Sequence, residues 1–453
     1  MRDQVDVVVV GLGPGGEYAA GELAAAGLDV VGVEAGLVGG ECPYWGCVPS
    51  KTMIRAGNAL AEAGRVPVLA GEAKVVPDWT PVADRVRDEA TGDWDDRAAA
   101  DRLTAKGVRL FRGTGRLTGP RQVEVGGRTF RARRGVVLAT GSSPRVPPVP
   151  GLAATPYWTN RDAIETRDVP GSMAVLGGGA IGVELAQVFA RFGCAVTVLE
   201  GQDHLLAQEE PQAGELAAKA LRADGVTVRS GTRARRIDHD GTSFEVRLQG
   251  VPEPVRAERL LVATGRRSDL AALGVDAAGL DPEAPSVPTD GQMRAGDGLW
   301  AVGDVTGAGA FTHVAMYQAR IAVRDVLGRP GPDADYRALP RVTFTDPEIA
   351  AVGMTEAQAR ARGLRVRTAL VPIAASTRGR IHGPGNGGFI KLVEDAGRGV
   401  LVGATSAGPM GGEVLYGLNV AVHTETPVER LRHMIYTYPT FHRAVEAALD
   451  ALR

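Results

Sequence analysis

The chain has 453 residues, 44% hydrophobic and 23% charged, with 51 Lys and Arg against 53 Asp and Glu. A net charge of −2 speaks against nucleic acid or an anionic membrane as a bulk partner. Three cysteines are too few for a secreted disulfide scaffold, and neither a leader pattern nor a bilayer-length apolar run is present, so a cytoplasmic protein of about three domains is expected.

The first element is the apolar strand Asp6-Val7-Val8-Val9-Val10, which turns through Gly11-Leu12-Gly13-Pro14-Gly15-Gly16 into a helix. A second strand, Val30-Val31-Gly32-Val33, ends on Glu34. This order suits a dinucleotide. Glycines at 11, 13 and 16 allow a tight turn and close approach of a pyrophosphate, the helix N-terminus attracts its charge, and the acid reaches a ribose hydroxyl.

Next comes Gly39-Gly40-Glu41-Cys42-Pro43-Tyr44-Trp45-Gly46-Cys47-Val48-Pro49-Ser50-Lys51. A disulfide needs Cα atoms within about 7 Å. Residues five apart on an ideal helix, at ~100° per residue, point in different directions, but Pro43 and Gly46 let the backbone distort enough to close a bridge. Cys42 and Cys47 are therefore read as a redox pair, whereas Cys194 suits the ordinary role of a small core residue. Lysine occurs only at 51, 74, 106, 219 and 391, so Lys51 directly behind the cysteines attracts notice. Tyr44 and Trp45 are expected to pack the loop rather than to touch substrate.

The strand Val136-Val137-Leu138-Ala139-Thr140-Gly141 leaves the first domain, and Pro144-Arg145-Val146-Pro147-Pro148-Val149-Pro150 reads as a stiff linker. Met173-Ala174-Val175-Leu176-Gly177-Gly178-Gly179-Ala180-Ile181-Gly182 then repeats the opening pattern, and its second strand, Ala195 to Leu199, ends on Glu200. Aligning Gly11 with Gly177 also aligns Glu34 with Glu200. One such fingerprint is weak evidence, but two, each with an acid about 20 residues on, are strong. Leu260 to Arg266 echoes the exit strand, placing Gly265 where Gly141 stood, and Leu299 to Asp304 returns the chain to the first domain. After Pro340 the nucleotide motifs stop.

Taken together, these motifs resemble the pyridine nucleotide-disulfide oxidoreductases, the family of glutathione reductase, dihydrolipoamide dehydrogenase and mercuric reductase, over essentially the whole chain. The resemblance implies an α/β fold with two Rossmann-like dinucleotide-binding domains and a C-terminal α+β dimerisation domain. FAD would occupy residues 1–149 and 267–338, NAD(P)H residues 150–266, and a homodimer interface residues 340–453, opening with Thr345-Asp346-Pro347-Glu348. It places Glu34 on the FAD ribose, Asp304 on the ribityl chain, and Thr312-His313-Val314-Ala315 at the flavin pyrimidine edge, with Thr140 and Gly141 also in that site. Gly177, Gly179, Gly182, Glu200 and Gly265 would hold the nicotinamide cofactor. Glu200 favours NADH because a carboxylate repels a 2′-phosphate, although Arg222, Arg229 or Arg233 leaves NADPH open.

By the same resemblance Cys47 is the thiol nearest the flavin and Cys42 attacks substrate. Lys51 sits by the flavin with Glu184 as its ion-pair partner, and a helix starting near Pro49 lowers the thiol pKa. Ala180 stands where some relatives place an aromatic gate. The C-terminal His-Pro-Thr and Glu of the disulfide reductases, which supply general acid–base help from the other subunit, are replaced by Tyr438-Pro439-Thr440 and Arg443. A phenol is a poorer proton shuttle than an imidazole at neutral pH. His442 shares a face with Tyr438 if the helix starts at Pro439, and His433 is the other nearby imidazole.

The expected activity passes hydride from NADH through FAD to Cys42–Cys47 and on to a small-molecule acceptor, a non-standard disulfide or a metal ion. Direct flavin reduction of quinones or similar acceptors, or transhydrogenation, is the alternative. No bound metal is expected, and mercury is disfavoured because Ala447 to Arg453 contains no vicinal cysteines.

Overall fold

The computed structural model describes residues 2–452, which leaves Met1 and Arg453 outside the description. The chain forms two compact units. One comprises Met1–Ser50, Asp84–Arg145 and Arg266–Asp335, and the other Lys51–Ala83, Val146–Gly265 and Tyr336–Arg453.

In the first unit a parallel sheet runs in the order Arg109–Arg112, Val30–Glu34, Arg2–Val10, Arg128–Leu138, Leu299–Ala301, with Arg294–Gly296 antiparallel at its edge. Why the opening strand is a continuous valine run is clear from its two faces. Val7 and Val9 pack with Leu12, Ala19 and Leu23, and Val8 and Val10 pack with Leu117, Phe130 and Val136. A central parallel strand covered on both sides has no polar face to alternate with. The direction of winding reverses between Arg2–Val10 and Arg128–Leu138, where Val10 pairs with Leu138. Ligands of open α/β sheets bind in the crevice at such strand ends.

The second unit contains a smaller parallel sheet, Thr227–Arg229, Ala195–Leu199, Ser172–Leu176, Arg259–Val262, with the same winding. It also carries the five-stranded antiparallel sheet Pro340–Thr343, Glu348–Gly353, Val400–Gly408, Phe389–Asp395, Val366–Pro372. Helices Gly411–His423 and His442–Ala451 bury Val414, Leu415, Leu418, Val445 and Leu449 with Ile390, Leu392 and Leu401 of that sheet. The mixed α/β architecture with an α+β C-terminal part is the one expected from the sequence.

One buried charge cluster lies within the second unit. Lys391 Nζ donates to Glu210 Oε2 at 2.8 Å and lies 3.0 Å from Glu356 Oε2. Lys391 and Glu210 are both almost wholly buried.

Candidate active site and nucleotide cradles

Each parallel sheet ends in the same cradle. Gly11 has φ +90°, and a Cβ there would lie 2.5 Å from the Ala139 carbonyl oxygen; Gly177 has φ +105°, with the Ala263 carbonyl oxygen at 2.4 Å. A Cβ on Gly16 would lie 1.9 Å from Gly11 O, and one on Gly182 2.1 Å from Gly177 O. The first and third glycines are thus required by chain packing. The middle glycine differs. A Cβ on Gly13 would meet only Gly40 Cα, at 3.9 Å, and one on Gly179 would meet nothing within 4 Å.

Gly13 and Gly179 are the N-caps of helices Pro14–Ala25 and Ala180–Arg191, and neither helix has a side-chain cap. Their first N–H groups remain available to an anion. Beside each helix start, the acid at the strand end is fixed by backbone. Glu34 accepts from Leu12 N at 2.6 Å and Gly36 N at 2.7 Å, and Glu200 accepts from Gly178 N at 2.6 Å and Gln202 N at 2.7 Å. A carboxylate oxygen has more than one lone pair, so both acids can still receive a ribose hydroxyl. Open space at the middle glycine, an uncapped helix start and an oriented acid fit a dinucleotide in each unit.

The cysteine loop forms helix Glu41–Tyr44, breaks at Trp45-Gly46, and resumes as helix Cys47–Leu69. The break explains Gly46, where a Cβ would sit 3.0 Å from Glu41 O and 3.2 Å from Cys42 Cα. Cys47 itself opens the long helix. The start expected near Pro49 therefore moves two residues upstream, which puts the thiol on the positive end of the helix dipole. Cys42 is half-buried and Cys47 exposed, both as thiols, and the two sulphurs are hydrogen-bonded neighbours. The contact with Cys47 and then burial push the Cys42 thiol well above its ordinary range, against a lowering hydrogen bond from Thr312. Cys47 Sγ lies 3.5 Å from Thr312 Oγ1. Tyr44 is buried and its carbonyl accepts from Trp94 Nε1 at 3.2 Å, while Trp45 tilts against it at 5.9 Å. Tyr44 therefore packs the loop.

Cys194 is buried, and burial with the nearby Glu258 carboxylate pushes its thiol up to about 12. The folded, reduced protein is expected to resist iodoacetamide at Cys194 at about pH 8, since the thiolate is the nucleophile, and to react there once denatured. Rapid native labelling of Cys194 in a peptide map would contradict its burial.

Asp304 opens the short turn Asp304–Thr306, where Ser142 Oγ donates to its Oδ2 at 2.5 Å. Arg266 binds Ser142 through Nε to Oγ at 2.8 Å and through Nη2 to the carbonyl at 2.5 Å, and its Nη1 lies 3.6 Å from Glu41 Oε2. Sequence reasoning missed Ser142 and Arg266 as supports of the site. Their signal was their place directly after the two echoing strand ends. Thr140 and Gly141 lie at the first of these ends and Gly265 at the second. His313 stacks on Phe311 at 5.2 Å, and Ala315 is buried with its carbonyl oxygen 3.0 Å from where a Gly15 Cβ would be.

In the second unit Lys51 Nζ donates to Glu184 Oε2 at 2.8 Å, and Glu184 Oε1 accepts from Phe344 N at 2.8 Å. The expected Lys51–Glu184 pair is formed. Ala180 is exposed at the first turn of its helix. Near the C-terminus one expectation is corrected. Helix His442–Ala451 starts at His442, not at Pro439, because Thr440 Oγ1 turns back to Thr437 O at 2.7 Å and Phe441 is buried. Tyr438 and His442 therefore do not share a helical face. Tyr438 is exposed, with the Arg443 guanidinium 6.0 Å from its ring centroid, so the two replacement residues contact each other. His433 and His442 are both exposed.

Residues 5–319 match the family described as pyridine nucleotide-disulphide oxidoreductase, and residues 339–449 match its dimerisation domain. The chain belongs to this family. It is 34% identical to a dihydrolipoyl dehydrogenase of Chlorobaculum tepidum over 99% of this chain and 97% of that protein. It is also 32% identical to a mercuric reductase of Bacillus cereus over 98% of this chain and 71% of the relative. Among solved structures it superposes on the flavoprotein disulfide reductase RclA of Escherichia coli with TM-score 0.86 and 26% identity, covering both chains completely. LpdA of Mycobacterium tuberculosis superposes with TM-score 0.85 and 27% identity, covering 99% of this chain and all of that one. As a family member the chain is an FAD-containing, NAD(P)H-dependent oxidoreductase with a dimerisation domain. No helix among the described residues is long and apolar enough to cross a membrane.

Proposed function

We propose that this oxidoreductase takes electrons from NADH and delivers them through the Cys42–Cys47 pair to an acceptor that needs no proton from a C-terminal imidazole, a metal ion or a disulfide with a stable leaving thiolate. The observation that carries the proposal is the contact between Cys42 and Cys47 at the start of helix Cys47–Leu69, set against Tyr438 and Arg443 where an acid–base dyad would stand. FAD, when bound, accepts hydride from the nicotinamide and supplies the electron pair that opens a disulfide.

The chain's own residues do the rest. Gly11, Gly13 and Gly16 leave room for the FAD pyrophosphate, Glu34 holds its ribose, and Asp304, oriented by Ser142, serves the ribityl hydroxyls. Thr140, Gly141, His313 and Ala315 complete that site, the last two through backbone, and Lys51, held by Glu184, is assigned to the flavin. Gly177, Gly179, Gly182 and Gly265 leave room for NADH, and Glu200 disfavours a 2′-phosphate by charge. Cys47 is the thiol on the flavin side, and Cys42 is the thiol offered to the acceptor. Tyr438 contributes a hydroxyl hydrogen bond and His442 remains the nearest imidazole. FAD is assigned to residues 1–149 and 267–338, NADH to residues 150–266, and the interface to residues 340–453.

A homodimer in the cytoplasm suits this chemistry. The dimerisation domain leaves Tyr416, Met434 and Tyr438 exposed, with Ile435 99% exposed, an apolar surface suited to a second copy.

Cys47→Ser is the deciding variant. With flavin content unchanged, NADH oxidation coupled to small disulfides or to Cu(II) is expected to fall at least about a hundredfold, because the dithiol can no longer form. The RclA relative has been solved as a Cu(II) complex, which makes that ion a reasonable first acceptor to try. Full activity of Cys47→Ser toward every accepted substrate, quinones included, would instead establish direct flavin reduction or transhydrogenation.

A further inference from the structure

The Thr312 hydroxyl occupies a position that the expected roles leave unused. Thr312 is the first residue of helix Thr312–Val326, whose N-cap is Phe311 and which has no side-chain cap. The hydroxyl lies 3.5 Å from Cys47 Sγ and is close enough to Cys42 to lower that thiol by hydrogen bonding, against the larger raising effects of Cys47 and burial. One side-chain donor thus reaches both sulphurs of the pair, and the helix start behind it adds the positive end of a second dipole. Titratable groups on the elements around the pair include Glu41, Tyr44, Arg266, Asp304 and His313, with Lys51 and Arg55 further along the helix that Cys47 opens and Tyr317 and Arg320 further along the helix of Thr312. Arg266 is engaged with Ser142 and Glu41.

Reducing a disulfide with two electrons and one proton gives one thiol and one thiolate, so a single negative charge must rest on one sulphur or the other. We propose that Thr312 is a catalytic hydrogen-bond donor that holds this thiolate, on Cys47 after reduction and on Cys42 when it attacks the acceptor. Its O–H turns between the two sulphurs without itself losing a proton. This role rests on the redox-pair reading of Cys42 and Cys47. It supplies from within one chain the charge stabilisation that a C-terminal imidazolium would otherwise give, though not the proton. A threonine suits the task because its hydroxyl can rotate while the methyl fixes the side chain.

The test is the pH dependence of thiol alkylation, which needs no turnover and therefore separates this inference from the choice of acceptor. FAD-loaded protein is reduced, desalted anaerobically and treated with iodoacetamide, and modification of Cys42 and Cys47 is read by peptide mass. Thr312→Val keeps the shape and removes the donor. Its alkylation midpoint is expected to rise by about one pH unit, the size of losing one hydrogen bond to a charged group. Thr312→Ser is expected to keep the original midpoint, and Thr312→Ala serves as a second donor-free variant should valine prevent folding. An unchanged midpoint in a donor-free variant that retains flavin overturns the proposal, and so does a serine variant that shifts as far as valine. Normal thiol titration in Thr312→Val alongside lost Cys47→Ser turnover would leave the pair in the reaction and remove Thr312 from it.

Discussion

Lys391→Ala is expected to lower the stability of the second unit by about 3–5 kcal/mol, because removing one partner of a buried ion pair strands the other. Glu210 Oε2 is held 2.8 Å from Lys391 Nζ, and the Glu210 and Lys391 side chains are 4% and 5% exposed. Glu356 lies 3.0 Å from the same ammonium but also binds Arg360 at 2.9 Å, so the variant strands Glu210 above all, with a second carboxylate beside it. Glu210 Oε1 also accepts from Glu356 N at 2.7 Å, which ties the cluster to the helix that follows Thr355. Losing the cation therefore disturbs backbone as well as side chains. The check is the urea midpoint of the second unit's transition. Lys391→Met combined with Glu210→Gln should recover part of the loss, since no uncompensated charge then remains on Glu210. A loss below about 1 kcal/mol for Lys391→Ala would mean that water reaches the cluster and solvates the carboxylates.

Gly16→Ala and Gly182→Ala are expected to separate the two cradles. In either variant the new Cβ would sit about 2 Å from a carbonyl oxygen of the glycine turn, 1.9 Å from Gly11 O and 2.1 Å from Gly177 O, so the turn must open. Gly16→Ala should purify without flavin absorbance. Gly182→Ala should retain flavin, lose at least about tenfold in affinity for NADH, and still react when its flavin is reduced chemically. Absent flavin in Gly182→Ala with normal flavin in Gly16→Ala would reverse the assignment of the cofactors. The two substitutions have the same chemistry and nearly the same clash, so different outcomes must come from which nucleotide each cradle holds.

Much of this was legible because nucleotide cradles are local in sequence. A strand, a glycine turn and a helix occupy consecutive residues, and the acid closes the unit about 20 residues later. Glu34 and Glu200 were found that way, and structure adds that each is aimed by two backbone N–H groups. Lys51 and Glu184 are far apart in the chain, and no spacing rule joins them; their pairing was read from the family resemblance, and the 2.8 Å contact agrees with it. The same resemblance could not anticipate where a helix begins. Pro439 satisfies the preference for proline in a first helical turn, yet Thr440 and Phe441 spend their interactions on a turn and on the core. Tyr438 was thereby separated from His442 and placed near Arg443.

By itself the sequence determined the two strand–glycine turn–helix units, the acids Glu34 and Glu200 that close them, and the reading of Cys42 and Cys47 as a pair. Those features follow from short-range sterics and from burial patterns that repeat along the chain. Only the tertiary structure decided that Cys47, not Pro49, opens its helix, that Arg266 and Ser142 support Asp304, and that Thr312 reaches both sulphurs. These depend on side chains brought together from remote segments, such as Thr312 and Cys47 at a separation of 265 residues. Such contacts are set by how the sheet strands stack and where the helix axes end, which no periodicity in the chain records.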